Sequence, residues 1–206
     1  KHLNKQNNNY LTGTQTCNIL PLYFGITPPE RQQAVLQNIV KDIVGHGDHL
    51  STGFLGTTYL MALLHETGHN DLAWRLASQT TYPSWGHMIL KGATTIWEAW
   101  EGTESPNGGI ASLNHYSKGA VCRWLFDTLC GIRMDGENTF VICPHPGGQL
   151  THAEAAYLSV YGKIRSAWER KEGITTYTIT VPPGCTAKIL LPGGARHEQA
   201  AGTMTY

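Results

Sequence analysis

The sequence predicts an α+β chain of two units, helical hairpins first and a small antiparallel β-sandwich second. Apolar residues recur at helical spacing through the first two thirds of the 206 residues. From Gly131 the signal changes to short β-branched and aromatic runs separated by Pro/Gly turns. The composition, 41% hydrophobic with 23 Gly and 10 Pro, is enough for a core and excludes collagen-like or long disordered classes.

Taken in order, Thr27-Pro28-Pro29-Glu30 reads as a capping box with prolines at the first helical positions. Behind it, Leu36, Ile39, Val40, Ile43 and Val44 mark one helix face, and Gly45 and Gly47 end it. Residues 54–64 form a second helical run that stops near Gly68. Asn70-Asp71 is expected to cap a third helix, with Leu72, Ala73, Leu76 and Ala77 inward. Pro83-Ser84-Trp85 opens a short fourth. After a loop rich in Gly and Thr, residues 115–130 make a fifth, with Val121, Trp124, Leu125 and Leu129 on one face. Short consecutive helices with tight turns make antiparallel hairpins, the units of toroids and solenoids. No repeat of fixed period is present, which argues against a solenoid.

Beyond Gly131, residues 139–142, Ile164, Ala167 and Trp168, residues 175–181 and residues 186–191 read as strands. Pro144-His145-Pro146-Gly147-Gly148, Pro182-Pro183-Gly184 and Pro192-Gly193-Gly194 punctuate them. The boundary is expected near residue 137, giving domains 1–137 and 138–206. The second is small for an independent domain.

Lys+Arg and Asp+Glu are 15 each, so the net charge is zero, without the basic excess of a nucleic-acid binder. No apolar stretch approaches the roughly 20 residues that cross a bilayer. Ten His, six Trp and nine Tyr suit a site for a neutral polar ligand such as a sugar. The opening polar run without an initiator Met suggests a part of something longer. Five scattered cysteines, without a CxxC pair, read as small buried hydrophobes and leave the compartment open.

Two signals could carry chemistry. His65-Glu66-Thr67-Gly68-His69 matches HExxH, which on an unbroken helix sets two imidazoles one turn apart for zinc. Gly68 and Asn70 should break the helix inside the motif, so a polar turn is the expected reading and no metal is assigned. The second signal is Trp97-Glu98-Ala99-Trp100, on a segment without helical pattern. Indole faces stack on the C–H patches of sugar rings, and a carboxylate between them can take a proton from water. Downstream, Ser112-Leu113-Asn114-His115-Tyr116 places a further polar cluster at a helix start.

Four ordered motifs carry a resemblance: Thr52-Gly53-Phe54-Leu55-Gly56-Thr57, Thr81-Tyr82-Pro83-Ser84-Trp85, Gly92-Ala93-Thr94-Thr95-Ile96-Trp97-Glu98 and Asn114-His115-Tyr116. With Gly131-Ile132-Arg133, Pro144-His145-Pro146-Gly147-Gly148, Leu150-Thr151 and Tyr161-Gly162, the chain resembles the α-L-rhamnosidases of glycoside hydrolase family 78 from about Tyr23 to Pro192. The resemblance implies the last helices of an (α/α)6 barrel followed by a C-terminal β-sandwich. It implies inverting cleavage of terminal α-L-rhamnose from glycosides without a cofactor. Glu98 is the implied general base and His115 a sugar contact, with Trp97 and Trp100 beside the base as substrate-binding aromatic walls. The general acid is implied upstream of this segment, in a missing N-terminal part of the same polypeptide, and the segment alone is expected to be inactive. Competing readings are another toroidal glycosidase or polysaccharide lyase, a zinc peptidase through His65 and His69, and a non-catalytic sugar-binding or structural module.

Overall fold

A computed structural model describes residues 2–104 and 111–206. Residues 105–110, part of the loop expected before the fifth helix, lie outside the described residues. The chain divides into two compact units, residues 1–121 and 122–206.

The first unit opens with a small antiparallel hairpin, β1 (Leu3–Asn4) and β2 (Asn9–Tyr10). The buried Asn18 ties it to α1 (Gln15–Tyr23): its Oδ1 accepts from the Tyr10 N–H at 2.9 Å, and its Nδ2 donates to Asn9 Oδ1 at 2.9 Å. The sequence reading passed over α1, because Pro21 and a polar approach hide its period. α2 (Pro29–Gly45) starts at Pro29, as its two prolines require. The expected capping box does not form. Pro28 occupies the N-cap and has no side-chain acceptor, so Thr27 falls one position too early and buries its hydroxyl without a partner.

α3 (Phe54–Glu66) and α4 (Asn70–Ala77) follow. His69, not Asn70, is the N-cap of α4; Asn70 instead turns its side chain to His65 Nδ1 at 2.9 Å. α5 (Trp85–Leu90) is capped by Ser84, whose hydroxyl accepts from the His87 N–H at 2.9 Å. α1 packs on α2 and α3, and α3 on α4. Ile19, Ile39, Ile43, Leu60, Leu64 and Leu76 are fully buried between them. The fifth helix is a composite that begins at Ser117 and not at residue 115. A 3₁₀ turn (Ser117–Gly119) leads into α6 (Ala120–Trp124) and a π-helical turn (Leu125–Cys130).

Strands β3 (Ile132–Met134), β4 (Thr139–Ile142), β5 (His152–Ser159), β6 (Gly162–Lys171), β7 (Ile174–Val181), β8 (Thr186–Leu190), β9 (Arg196–Gln199) and β10 (Gly202–Thr205) build the rest of the second unit. They form two four-stranded sheets, ordered β10-β7-β6-β5 and β3-β4-β8-β9. Ile132, Phe140, Ile142 and Ile189 from one sheet meet Ile164, Ile179 and Val181 from the other in a single core. The antiparallel expectation fails at one place. β4 and β8 pair in parallel, because β5, β6 and β7 intervene as a long crossover through the other sheet. Two cysteines, Cys130 and Cys185, are buried as expected, whereas Cys122 is exposed on the helix surface.

Gly131 ends the π-helical turn at φ +69°, and the Cys143 N–H donates to its carbonyl at 2.9 Å. A Cβ at Gly131 would collide with the Cys143 carbonyl and the Pro144 nitrogen. Gly184 has a similar φ of +75° but open space around it. Gly184→Ala should therefore cost about 1 kcal/mol, the left-handed penalty alone, and Gly131→Ala at least about 2 kcal/mol more. Urea-unfolding midpoints of the two variants test this, and equal shifts would refute the close approach.

Candidate active site

Residues 91–104 contain neither helix nor strand, and neither do residues 111–116. The two segments satisfy each other. Glu98 N–H donates to Ser112 O at 2.8 Å, His115 N–H to Ile96 O at 2.8 Å, and Thr95 Oγ1 to Leu113 O at 2.5 Å. This ladder sets Glu98 and His115 on adjacent runs of chain. The Ser112 N–H also donates to Glu98 Oε2 at 2.9 Å, which fixes one oxygen of a half-buried carboxylate. No hydrogen bond to Oε1 is present among the described residues.

His115 is held by Ser117. Its Nδ1 lies 2.9 Å from Ser117 Oγ and accepts from the Ser117 N–H at 3.3 Å, which leaves the ring proton on Nε2 in the neutral imidazole. The Tyr116 ring stacks on it at 4.9 Å, and Phe54 meets it edge-on at 6.0 Å.

The two tryptophans beside Glu98 have different surroundings. Trp97 is half-buried and its ring lies over Gly102, where a Cβ would come within 2.6 Å of it. Trp100 is only 6% exposed. Its Nε1 donates to Thr52 O at 2.8 Å, and Trp85 meets it edge-to-face at 5.4 Å. Trp100 supports the segment from beneath and presents no open face.

Three neighbours were not assigned to the site from the sequence, although Tyr82 and Trp85 lie in one of its motifs. Lys118 is 1% exposed, with its ammonium 4.7 Å from the Trp100 ring centre and donating to the Glu98 carbonyl. Trp85 Nε1 donates to Lys118 O at 2.9 Å. Tyr82 donates to Glu101 Oε1 at 2.6 Å. Burial, then the Glu101 hydrogen bond and charge, push the Tyr82 phenol up to about 12; the same bond holds Glu101 below the usual carboxylate range. The only advance signal for Lys118 was its place two residues after Tyr116, in the stretch that starts the fifth helix.

The HExxH segment breaks as expected. α3 ends at Glu66, Gly68 takes φ +79°, and His69 stands at the next helix's N-cap. His69 Nδ1 turns to Thr67 O at 3.0 Å. Among the described residues no group of three or more His, Cys, Asp or Glu could hold a metal ion.

The bacterial alpha-L-rhamnosidase 6 hairpin glycosidase domain matches residues 1–129, and the bacterial alpha-L-rhamnosidase C-terminal domain matches residues 133–204. The chain belongs to the bacterial α-L-rhamnosidase family. An α-L-rhamnosidase of Streptomyces avermitilis is 39% identical over 186 residues, covering 87% of this chain and 18% of that protein. One from Formosa agariphila is 38% identical over 188 residues, covering 88% of this chain and 20% of that protein. The chain thus spans about a fifth of the length of these rhamnosidases. Among solved structures, the S. avermitilis α-L-rhamnosidase complexed with L-rhamnose superposes with a TM-score of 0.90 at 33% identity over 99% of this chain and 22% of that one. The Dictyoglomus thermophilum α-L-rhamnosidase gives 0.89 at 30% identity over 100% of this chain and 26% of that one.

A rhamnosidase-family chain with this broken motif should not retain zinc. After equilibration with Zn²⁺ and desalting, metal analysis should find well under one equivalent. A tightly held equivalent, lost in His65→Ala or His69→Ala, would refute this.

Proposed function

We propose that this chain forms the C-terminal part of an inverting α-L-rhamnosidase, with Glu98 as general base and the general acid supplied outside residues 1–206. The carrying observation is a carboxylate pinned at one oxygen, with an oriented histidine on the adjacent run of chain. In an inverting glycosidase, two carboxyl groups flank the scissile bond roughly 6.5–9.5 Å apart, with a water between base and anomeric carbon. Glu98 Oε2 is occupied by the Ser112 N–H, so Oε1 is the oxygen available to that water. As the water attacks C1, its proton passes to Glu98, and the separate acid protonates the departing glycosidic oxygen. His115 offers its Nε2–H to a ring hydroxyl. Trp97 gives an aromatic wall suited to the apolar C6 methyl of rhamnose. Trp100 serves from below. The substrate is a rhamnose-containing glycoside.

General-base catalysis supplies about 10²–10⁴-fold in rate. In the full-length protein, Glu98→Gln should therefore lower kcat at least ~100-fold and leave rhamnose affinity within about tenfold. Glu101→Gln, which keeps an acceptor for Tyr82 and loses the charge facing Lys118, should have a much smaller effect. His115→Ala should raise KM as well as lower kcat. Steady-state kinetics on a p-nitrophenyl rhamnoside, with rhamnose binding measured separately, decides this. Near-normal kcat in Glu98→Gln would remove the assignment.

A further inference from the structure

Lysine is almost never fully buried unless paired, and the mechanism proposed above gives Lys118 no part. Yet its ammonium lies inside the first unit at 1% exposure and does not serve its own 3₁₀ turn (Ser117–Gly119). It reaches 20 residues back along the chain to the main-chain carbonyl of Glu98. It also rests 4.7 Å from the centre of the Trp100 ring, a cation–π contact two residues beyond Glu98. The base of the same lysine is gripped in turn: Trp85 donates to the Lys118 carbonyl at 2.9 Å and packs edge-on against Trp100 at 5.4 Å. Lys118, Trp85 and Trp100 thus contact one another, and the ammonium joins this cluster to the Glu98 main chain. Burial pulls the Lys118 ammonium below the usual lysine value, and the charges of Glu101 and then Glu98 oppose that pull.

We propose that Lys118 is a positioning residue that holds the Glu98 main chain, and through it the carboxylate, in register with the attacking water. The irregular segment 91–104 has no helix or strand to fix Glu98 along its length. The Ser112 pairing clamps its amide side, and the Lys118 ammonium clamps its carbonyl side. A methionine would fill much of the same volume and pack on Trp100, so packing alone does not call for a charge here. A donor matters because the Lys118 ammonium is the partner that the part-buried Glu98 carbonyl takes. Glu101, itself held by Tyr82, completes the charge balance. This inference rests on Glu98 being the base.

The test is a kinetic double-mutant cycle in the full-length protein, using p-nitrophenyl rhamnoside and the variants Lys118→Met, Glu98→Gln and their combination. Lys118→Met should lower kcat at least about tenfold with KM within about threefold, since small displacements of a catalytic group are costly. In the Glu98→Gln background, adding Lys118→Met should change kcat by less than about twofold, because the group it positions no longer acts. An equal loss in both backgrounds would make Lys118 merely structural and overturn the proposal, as would an unchanged kcat in the single variant. Near-normal kcat in Glu98→Gln alone would remove the base assignment and this inference with it; that arm identifies which reading failed. If Lys118→Met melts early by circular dichroism, Lys118→Leu, which likewise lacks the donor, replaces it in the cycle. Failure of both to fold would also overturn the proposal.

Discussion

Buried backbone amides and carbonyls must find partners, whether or not the chain is helical or extended. Residues 91–104 meet this requirement without secondary structure of their own, and the site follows from how they do so. The Glu98 amide pairs with Ser112, the Ile96 carbonyl with His115, and the carbonyl of Glu98 takes the ammonium of Lys118. Each of these bonds also places a side chain. The Glu98 amide bond brings Ser112 alongside, whose own N–H then occupies Oε2. The Ile96 carbonyl draws in the His115 amide, and Ser117 sets the imidazole's tautomer. Satisfying the backbone and orienting the candidate catalytic groups are one event.

Beneath this segment lies an aromatic floor. Trp85 and Trp100 cross edge-to-face, and each spends its indole N–H on a main-chain carbonyl, Lys118 O and Thr52 O respectively. Buried tryptophans commonly need such partners. Here those partners connect α5, the stretch before α3 and the turn before α6 to one irregular strip. Side-chain anchors thus supplement the few backbone bonds near Glu98. The second unit achieves order by the opposite means. Its two sheets carry regular inward alternation, Phe140 and Ile142 on β4 and Ala187 and Ile189 on β8 in one, Ile179 and Val181 on β7 in the other, around a common core. At Gly131, where a helical turn passes close to the Cys143 carbonyl, its geometry rests on a single residue.

Most helices were legible because burial imprints a period on the residues that line them: Leu36, Ile39 and Ile43 on α2, Leu60, Leu63 and Leu64 on α3, Leu72 and Leu76 on α4. α1 was illegible because Pro21 lies inside it and its inward face includes Gln15 and Asn18, polar residues that burial accepts only once their partners are in place. Caps were misread by one position at Thr27 and at Asn70, since capping depends on where the first turn closes and not on residue type alone. The parallel pairing of β4 with β8 was equally hidden, because strand partners separated by three intervening strands leave no local pattern.

The sequence by itself determined the order of the main helices before the two four-stranded sheets, the break of the HExxH segment at Gly68, and the family to which the chain belongs. These depend on local periodicity, on one glycine's backbone freedom, and on motifs read in order. Only the tertiary structure decided that Trp97 and Trp100, three residues apart, have different surroundings, and that a lysine unremarked in the sequence is buried against Glu98. Both depend on Thr52, Trp85 and Lys118, which lie 15 to 48 residues from Trp100 along the chain. A side chain's burial and partner are set by what the fold brings opposite it, and no local window contains that information.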